Sequence, residues 1–321
     1  MTTGKLRAGV IGVGHLGRHH ARIYHQLDNV ELVAVSDLSE SSAQTIAQQY
    51  HCRAERDYRS FLQDVDLVSV AVPTTAHYEV ARQCIEAGVH VLVEKPITAT
   101  IEEGVILIES ARQRGVVLMV GQSERFNPAV AAATSLISDP RFIEVHRLGP
   151  FPSRATDVDV VLDLMIHDVD LILHWVRSDV TDIRSNGVNV LTNRIDIAST
   201  RIEFASGCVA NLTTSRISLQ ATRKVRVFQP SLYLSIDCLN QQVSGYRKLE
   251  GTLDSDPMSS IQPVPFTIER IEPLVSELRA FTQSVRDQTN PPVPGEQALK
   301  ALDLCQQVSD CIRRNIAANP L

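Results

Sequence analysis

The feature that most constrains the fold is a glycine-rich segment directly after a short apolar run. Residues 6–11 have the composition of a buried strand, and Gly12-Val13-Gly14-His15-Leu16-Gly17 follows them with the spacing G-x-G-x-x-G. A helical pattern over residues 15–27 begins inside the segment. The glycines permit a tight turn, and backbone N–H groups at the helix start can face a pyrophosphate. The positions expected to contact a dinucleotide are Gly12, Gly14, His15, Leu16 and Gly17.

A single carboxylate narrows the choice of dinucleotide. Asp37 ends the second strand-like run, residues 31–36, twenty residues after Gly17. A carboxylate at this position accepts hydrogen bonds from the ribose hydroxyls of NAD and repels the 2′-phosphate of NADP. Leu38 and Ser39 follow it, where an NADP-binding chain is expected to carry Arg or Lys. The alternative is a solvated aspartate beside a tight turn, but the combination predicts NAD.

Strand-like and helical patterns alternate over the first 122 residues. Runs that are apolar on both faces are typical of buried parallel strands, and the alternation predicts a doubly wound parallel sheet of the Rossmann type with right-handed crossovers. Strands are expected at residues 6–11, 31–36, 67–72, 90–93 and 116–120, and helices at 15–27, 41–50, 76–87 and 101–114. Gly88 and Gly115 each follow a helix, as C-terminal caps do.

After Gly121 the pattern changes to a second kind of domain. A helix is expected from Pro128, a strand at residues 142–148 and a helix at 160–176. Short strands joined by tight turns then occupy residues 180–248, and two helices, 271–287 and 296–317, close the chain. This order predicts an α+β domain with a mainly antiparallel open sheet. We expect domains at residues 1–122 and 123–321, with the C-terminal helix able to pack back on the first.

Composition excludes several classes of function. A net charge of −6 argues against broad nucleic-acid or anionic-membrane binding. No apolar run reaches membrane-spanning length and no signal-peptide pattern is present, so a cytoplasmic location is expected. The six cysteines are scattered without C-x-x-C or zinc-type spacing, so they are expected to be reduced.

A lysine follows the strand-like run at residues 90–93. Val91-Leu92-Val93-Glu94-Lys95-Pro96 is apolar until it ends in Glu-Lys-Pro. Lys95 is therefore expected at the carboxyl edge of the parallel sheet, where open α/β folds bind their ligands. A partly desolvated ammonium there could donate a proton to a substrate oxygen.

The segment after the expected strand at residues 67–72 offers further candidates on the cofactor side. Pro73, Thr74 and His77 lie at the same expected edge and could pack against the nicotinamide end of the dinucleotide. The alternative is that Thr75 caps the next helix while His77 is a solvated residue of its first turn. The sequence favours neither.

An aspartate and a histidine four residues apart lie on the expected helix of the second domain. In an α-helix this spacing places Asp163 and His167 on one face, as an aspartate that orients a general-base imidazole requires. The alternative is an acidic solvated face, because four more aspartates crowd the stretch: Asp157, Asp159, Asp168 and Asp170. A metal site built from His167, Asp168, Asp170 and His174 is disfavoured, since neighbouring helical residues point about 100° apart.

Three arginines lie between the sheet and this helix. Arg125, Arg147 and Arg154 could bind phosphate oxygens, because the guanidinium donors form a rigid fork. In an acidic chain they indicate an anionic substrate. Salt bridges with neighbouring aspartates are an equally good explanation for any one of them.

With Glu94-Lys95-Pro96 and Asp163-x-x-x-His167 both present, the chain resembles the Gfo/Idh/MocA oxidoreductases over nearly its whole length. The resemblance implies reversible oxidation of a sugar or cyclitol hydroxyl by a pyridine nucleotide, with Lys95, Asp163 and His167 as the catalytic set. It also adds Glu94, Lys95 and Gln122 to the cofactor-binding residues. It further implies a homodimer or homotetramer formed through the C-terminal sheet.

Two segments resemble family members that act on sugar nucleotides, namely residues 160–170 and Pro150-Phe151-Pro152-Ser153-Arg154. This resemblance implies oxidation of the C3 hydroxyl of UDP-N-acetylglucosamine with formation of NADH, as in synthesis of the 2,3-diamino sugar of lipid A. His167 and the three arginines would contact that substrate. One departure is Asp157-Val158-Asp159 in place of a glycine-rich lead-in. The alternatives are an inositol or free-sugar dehydrogenase and a non-catalytic NAD-binding regulator.

Overall fold

The structure is a computed structural model that describes residues 4–151, 158–249 and 260–318. The chain divides into two compact units. Unit 1 comprises Met1–Ser123 and Glu272–Leu299, and unit 2 comprises Glu124–Ile271 and Lys300–Leu321. A parallel sheet lies in unit 1 and a mostly antiparallel sheet in unit 2, so the predicted fold class is confirmed.

Unit 1 is built on a six-stranded parallel sheet with the order β3-β2-β1-β4-β5-β6. The strand order reverses between β1 and β4, and ligands of open α/β sheets bind at the carboxyl ends of strands beside such a reversal. The strands are β1 (Leu6–Ile11), β2 (Val30–Ser36), β3 (Arg53–Glu55), β4 (Leu67–Val70), β5 (His90–Glu94) and β6 (Leu118–Gly121). Both faces of β4 and β6 are buried, as the continuous apolar runs predicted.

Helix α4 (Ile101–Arg114) of unit 1 begins and ends at recognisable caps. Thr100 and Glu103 form a capping box at the start of α4, and Gly115 ends that helix at a φ of 65°, where a side chain would be strained. The helices are α1 (Gly17–Gln26), α2 (Glu40–Tyr50), α3 (Thr74–Glu86), α4 (Ile101–Arg114) and, after unit 2 has intervened, α7 (Pro273–Asp287). Gly115 is thus confirmed as a cap.

Unit 2 contains an eight-stranded sheet with the order β14-β13-β12-β11-β7-β10-β9-β8. Strands β7 and β10 pair in parallel, whereas the other neighbours are antiparallel. The strands are β7 (Phe142–Leu148), β8 (Val180–Val188), β9 (Ile197–Phe204), β10 (Val209–Ser215), β11 (Thr222–Gln229), β12 (Leu232–Asp237), β13 (Gln242–Lys248) and β14 (Ile261–Pro263).

One face of this sheet carries the core of unit 2. Alternate strand residues such as Val145, Val227 and Leu234 are buried there together with helical side chains that include Trp175 and Leu304. The helices are α5 (Pro128–Thr134), α6 (Ile166–Val176) and the part of α8 (Gly295–Ala318) that belongs to unit 2. Among the residues described, no helix has the length and apolar character that crossing a membrane demands.

Candidate active site

The glycine-rich loop of unit 1 tolerates few side chains. Gly12 has a φ of 84°, and a Cβ on Gly17 would lie 1.7 Å from the carbonyl oxygen of Gly12. These two glycines are required by the protein itself. A Cβ on Gly14, in contrast, would meet no described atom within 4 Å, so a ligand close to the backbone would explain this glycine. The loop therefore fits a dinucleotide.

The first helix begins later than the sequence predicted. It starts at Gly17 rather than His15, because residues 12–16 form the turn. Within the described chain no side chain caps it and no acidic residue lies in its first turn. Its N–H groups and the positive end of its dipole remain suited to an anion. His15 is exposed and its ring stacks edge-on against His19, with centroids 5.9 Å apart.

Asp37 is tied to the loop. Its carboxylate accepts a hydrogen bond from the backbone N–H of Val13 at 2.9 Å and another from Ser39 at 2.9 Å. Asp37 is half-buried, whereas Leu38 beside it is exposed. The carboxylate thus lies at the end of β2 next to the glycine loop, where the fingerprint requires it.

The segment after β4 contradicts the alternative in which Thr75 caps the helix and His77 is solvated, whereas the packing of Pro73, Thr74 and His77 against the nicotinamide end stays a prediction. Pro73 is the N-cap residue of α3, so Thr75 does not cap the helix, and Thr74 is its first residue. His77 is buried rather than solvated, with Nδ1 2.8 Å from the carbonyl oxygen of Pro96 and Nε2 2.9 Å from that of Val72. Burial lowers the pKa of His77, although both acceptors oppose the shift. The neutral ring donates to one carbonyl at a time and links α3 to the Glu-Lys-Pro segment.

Glu94 and Lys95 end strand β5, at the carboxyl edge of the sheet. The Glu94 carboxylate is buried and accepts a hydrogen bond from Nε2 of His20 at 2.9 Å. Burial alone would raise the pKa of Glu94, but the hydrogen bond from His20 and the charge of Lys95 hold it below its usual value. An ionised Glu94 therefore stands beside Lys95.

Gln122 follows β6 on the neighbouring strand. Its side chain is 1% exposed, and within the described chain neither its amide nitrogen nor its amide oxygen has a hydrogen-bond partner. A buried amide left in this state costs free energy unless a ligand satisfies it. Gln122 is thus the position in unit 1 that most directly points to a bound polar group.

In unit 2, Asp163 and His167 lie on a helix that departs from the predicted α-helical form. Residues Val161–Met165 form a π-helical turn, and α6 continues from Ile166. Both side chains are half-buried. The α-helical form predicted for these residues is therefore corrected here, whereas the shared face of the two side chains stays a prediction. Single π-turns occur frequently at functional sites.

Asp159 anchors the start of this turn. Its Oδ1 accepts a hydrogen bond from the backbone N–H of Leu162 at 3.0 Å, and its Oδ2 accepts one from the Ser309 hydroxyl at 3.2 Å. The side chain of Arg313 lies 3.6 Å away. Asp159 is buried, so the unusual aspartate of the lead-in holds the helix start rather than lying on a solvated face.

Two arginines proposed for the substrate are engaged in buried ion pairs. Arg147 donates from Nε and Nη2 to Asp168, both at 2.8 Å, and Nη1 lies 3.4 Å from Glu124. Arg125 makes the same forked contact with Asp170, at 2.6 and 2.7 Å. Burial raises the pKa of both aspartates and the arginines oppose it. The contacts favour structural ion pairs, and direct substrate binding by either arginine stays a prediction.

The remaining candidates of unit 2 give no metal site. His174 accepts a hydrogen bond from Arg125 at 3.2 Å, and burial with the charges of Arg125 and Arg177 lowers its pKa to about 4. In the described part of the chain, no three histidine, cysteine or acidic side chains are grouped for metal binding. Arg154 lies outside the described residues.

Comparisons with known proteins show the family of this chain. Residues 6–122 match the family model described as the Gfo/Idh/MocA oxidoreductase family with an NAD-binding Rossmann fold. The chain is 36% identical over 281 residues to UDP-N-acetylglucosamine 3-dehydrogenase of Acidithiobacillus ferrooxidans, covering 87% of this chain and 88% of that protein. The chain belongs to the Gfo/Idh/MocA family.

Solved structures extend the likeness of this Gfo/Idh/MocA protein to both units. A crystal form of the Acidithiobacillus ferrooxidans enzyme superposes with a TM-score of 0.90 at 34% identity, covering 97% of this chain and 98% of that one. Scyllo-inositol dehydrogenase from Lactobacillus casei, solved with NAD(H) and scyllo-inositol, has a TM-score of 0.80 at 18% identity, covering 97% and 98%. The latter likeness shows the fold alone. This Gfo/Idh/MocA protein is an oxidoreductase acting on CH–OH groups.

Sequence reasoning missed the buried contacts of three residues of this Gfo/Idh/MocA protein. His20 and Ser69 contact each other beneath Glu94, and Asp159 anchors the π-turn. The histidine-rich first helix was the available sequence signal for His20, but its partners Ser69 and Glu94 are identified only in the folded structure. Ser69 gave a weaker signal as a lone polar residue in an otherwise apolar strand.

Proposed function

We propose that this protein oxidises the C3 hydroxyl of UDP-N-acetylglucosamine to the 3-keto sugar nucleotide, with NAD as the acceptor. The observation that carries the proposal is the 36% identity to a UDP-N-acetylglucosamine 3-dehydrogenase across 87% of this chain. Identity at this level extends over the second unit, which in this family supplies the substrate-binding side chains. A free-sugar or inositol substrate is the alternative that the experiment below separates.

NAD fits the residues of unit 1. The glycine loop accommodates a pyrophosphate, Asp37 offers a carboxylate to a ribose, and Gln122 offers a buried amide without a described partner. His15, Leu16, Pro73, Thr74 and His77 would line the same edge. When bound, NAD supplies the acceptor for the hydride of the alcohol carbon. We assign NAD rather than NADP because Asp37 would repel a 2′-phosphate.

Three side chains supply the proton chemistry. His167 takes the proton of the C3 hydroxyl as general base, and Asp163 orients the imidazole. Lys95 donates a hydrogen bond to the same oxygen and stabilises its negative charge as the carbon–hydrogen bond breaks. Losing one such electrostatic group commonly costs on the order of 100- to 1000-fold in rate. The proposed products are the 3-keto sugar nucleotide, NADH and a proton.

The diphosphate of the proposed substrate needs positively charged side chains to bind it. Arg125 and Arg147 are largely satisfied by Asp170 and Asp168, so we assign them to holding α6 in place. Arg154 is the remaining candidate of the three for a direct contact with the diphosphate. A 2,3-diamino sugar of lipid A would be the eventual product if a transaminating enzyme consumed the ketone.

We further propose a cytoplasmic homo-oligomer that buries the outer face of the eight-stranded sheet. Across four neighbouring strands, aromatic side chains stand in register on the face opposite the core: Phe142, Phe228, Tyr233 and Tyr246. Phe228 is 37% exposed and Tyr246 is 50% exposed. Phe228→Lys should lower the sedimentation mass of an oligomer, and an unchanged mass would exclude this face.

The substrate test is a comparison of alcohols. Purified protein is incubated with NAD and, separately, UDP-N-acetylglucosamine, UDP-glucose, myo-inositol or glucose, while NADH absorbance is followed. Turnover with UDP-N-acetylglucosamine alone supports the proposal. Turnover with myo-inositol instead overturns the substrate, and no turnover with any alcohol, despite measurable NAD binding, favours a regulator. Lys95→Met serves as the catalytic control and should lower kcat about 100-fold or more.

A further inference from the structure

Four buried side chains form a continuous hydrogen-bonded chain inside unit 1. The Tyr24 hydroxyl lies 2.8 Å from Oγ of Ser69, which lies 2.9 Å from Nδ1 of His20. Nε2 of His20 lies 2.9 Å from Oε1 of Glu94. Tyr24, Ser69 and His20 are each fully buried, and Glu94 is 8% exposed. The chain ends at the residue that precedes Lys95.

When Glu94 is ionised and the His20 ring is neutral, the donors and acceptors of this chain have one self-consistent arrangement. A carboxylate only accepts, so Nε2–H of His20 donates to Glu94. Nδ1 of the neutral ring then accepts from the Ser69 hydroxyl, and Ser69 in turn accepts from Tyr24. Burial raises the pKa of Tyr24, which keeps its hydroxyl protonated as the first donor. Protonation of Glu94 would remove the acceptor that sets this direction.

The surroundings fix Glu94 tightly. A Cβ on Gly121 would approach the Glu94 carboxylate to 3.0 Å, so only glycine leaves that carboxylate its present position. The charge of Lys95 is among the influences that stabilise the ionised form of Glu94. The carboxylate is therefore held in place by the hydrogen bond from His20 on α1. Its ionised form is stabilised by the charge of Lys95.

We propose that His20 is a positioning residue for catalysis and acts on Lys95 through Glu94. This inference rests on the proposed function, in which Lys95 contacts the reacting oxygen. His20 supplies the hydrogen bond that keeps the buried Glu94 ionised, and Glu94 is a fixed negative charge one residue before Lys95. Outer partners of this kind typically change activity by about 10- to 100-fold when they are removed.

The test compares four variants of the whole chain. His20→Leu removes both ring nitrogens, and His20→Gln restores an N–H donor for Glu94. Glu94→Gln removes the charge and also identifies the Glu94 resonance. His25→Leu is the matched control, because His25 lies on the same helix, is exposed and stacks on Tyr50, with ring centroids 5.2 Å apart. The readouts are the titration of Glu94 by carboxyl carbon NMR, the Kd for NAD, and kcat.

The expected result has two parts. In His20→Leu, Glu94 should titrate at higher pH than in the wild type, since burial then acts without the hydrogen bond. In the same variant kcat should fall about 10- to 100-fold, with recovery in His20→Gln and no change in His25→Leu. The double variant His20→Leu/Glu94→Gln should be no slower than Glu94→Gln alone, because both changes act through one group.

Several outcomes would overturn the inference. An unchanged Glu94 titration removes its first step, and additive losses of kcat in the double variant would show that His20 does not act through Glu94. Loss of thermal stability with wild-type kcat would reduce His20 to a structural role. If His20→Leu does not fold, Ser69→Ala carries the comparison, because it removes the hydroxyl that contacts Nδ1 of His20. The NMR and NAD-binding readouts need no substrate, so they remain interpretable even if the proposed alcohol is wrong.

Discussion

At the residue scale, the Asp37 carboxylate has a structural role in the protein and lies where the ribose of the proposed cofactor is expected. It accepts the N–H groups of Val13 and Ser39 and so fixes the glycine loop against the end of β2. Its position beside the loop is also where a ribose hydroxyl would require an acceptor. The same group therefore couples loop geometry to cofactor choice.

Asp37→Asn tests that coupling. The amide keeps the size of the side chain but loses the negative charge, so we expect the Kd for NAD to rise about tenfold, as the loss of one or two charge-assisted hydrogen bonds would give. Binding of NADP should weaken less or improve, because the repulsion of its 2′-phosphate is removed. Titration calorimetry with both cofactors measures the ratio. An unchanged preference for NAD would contradict the role of Asp37.

At the scale of single residues, the sequence predicted sites whose signal is local and missed those that depend on distant pairing. Gly12, Gly17 and Asp37 were found because turn geometry and ligand chemistry fix their spacing within one βαβ unit. The contact of His20 with Glu94 joins residues 74 positions apart. No spacing rule predicts such a pair, because the sheet and the first helix must form before the two side chains meet.

At the scale of elements, the loop between β1 and α1 makes a matched pair of predictions. Gly17→Ala should lower thermal stability and abolish NAD binding, because its Cβ would lie 1.7 Å from the Gly12 carbonyl oxygen. Gly14→Ala should fold with wild-type stability yet bind NAD more weakly, because its Cβ meets no described atom within 4 Å and would meet the ligand. Thermal melts with and without NAD separate the two. Wild-type NAD affinity in Gly14→Ala would contradict the placement.

The link between β7 and α6 is a second element-scale test. Arg147→Met leaves Asp168 buried without its partner, and breaking such a pair costs about 3–5 kcal/mol. Arg226→Met, which breaks the half-exposed pair with Glu144 on the neighbouring strands, should cost less than about 1 kcal/mol. Trp175 is the single tryptophan and lies in unit 2, so its fluorescence in urea reports both variants. Equal losses of unfolding free energy in the two variants would show that Arg147 is not a structural partner of Asp168, and would favour its assignment to substrate binding.

Element boundaries followed the sequence where the apolar pattern was strong. Strands β1 and β7 have the predicted limits, whereas β3 was missed because it is only three residues long and its members are polar or small. The π-turn before α6 could not be predicted, since it preserves the apolar spacing of the helix while widening one turn. The parallel pairing of β7 with β10 is likewise a matter of topology rather than of residue pattern.

At the scale of the whole molecule, one half-buried histidine makes the stability of unit 2 depend on pH. The pKa of His174 is lowered to about 4 from 6.5, so the unfolded chain takes up a proton that the folded unit does not. Above the unfolded pKa the ring is neutral in both states and does not change the free energy of unfolding. The free energy of unfolding then decreases as pH falls from the unfolded pKa towards the folded pKa. At about pH 5 linkage alone lowers the free energy of unfolding by roughly 2 kcal/mol. Solvent screening of this partly exposed ring reduces that loss to about 1 kcal/mol.

His174→Asn checks this dependence. The amide oxygen can still accept a hydrogen bond from Arg125 but does not titrate, so the free energy of unfolding should fall less between neutral pH and about pH 5 than in the wild type. Urea titrations followed by Trp175 fluorescence give the difference at each pH. His25→Asn, an exposed change in unit 1, is the control. An identical pH profile for His174→Asn and the wild type would exclude His174 as the source.

The central claim is that a hydride leaves C3 of a UDP-sugar while His167 removes the proton of the C3 hydroxyl and Lys95 stabilises the negative charge on its oxygen. The most direct measurement uses UDP-N-acetylglucosamine that carries deuterium at C3, incubated with the protein and NAD, with both products analysed by NMR. The account predicts that the deuterium is found in the reduced cofactor, that a ketone forms at C3, and that Lys95→Met and His167→Asn suppress both. Deuterium retained in the sugar while NADH forms, or reduction that requires a different alcohol, would contradict it.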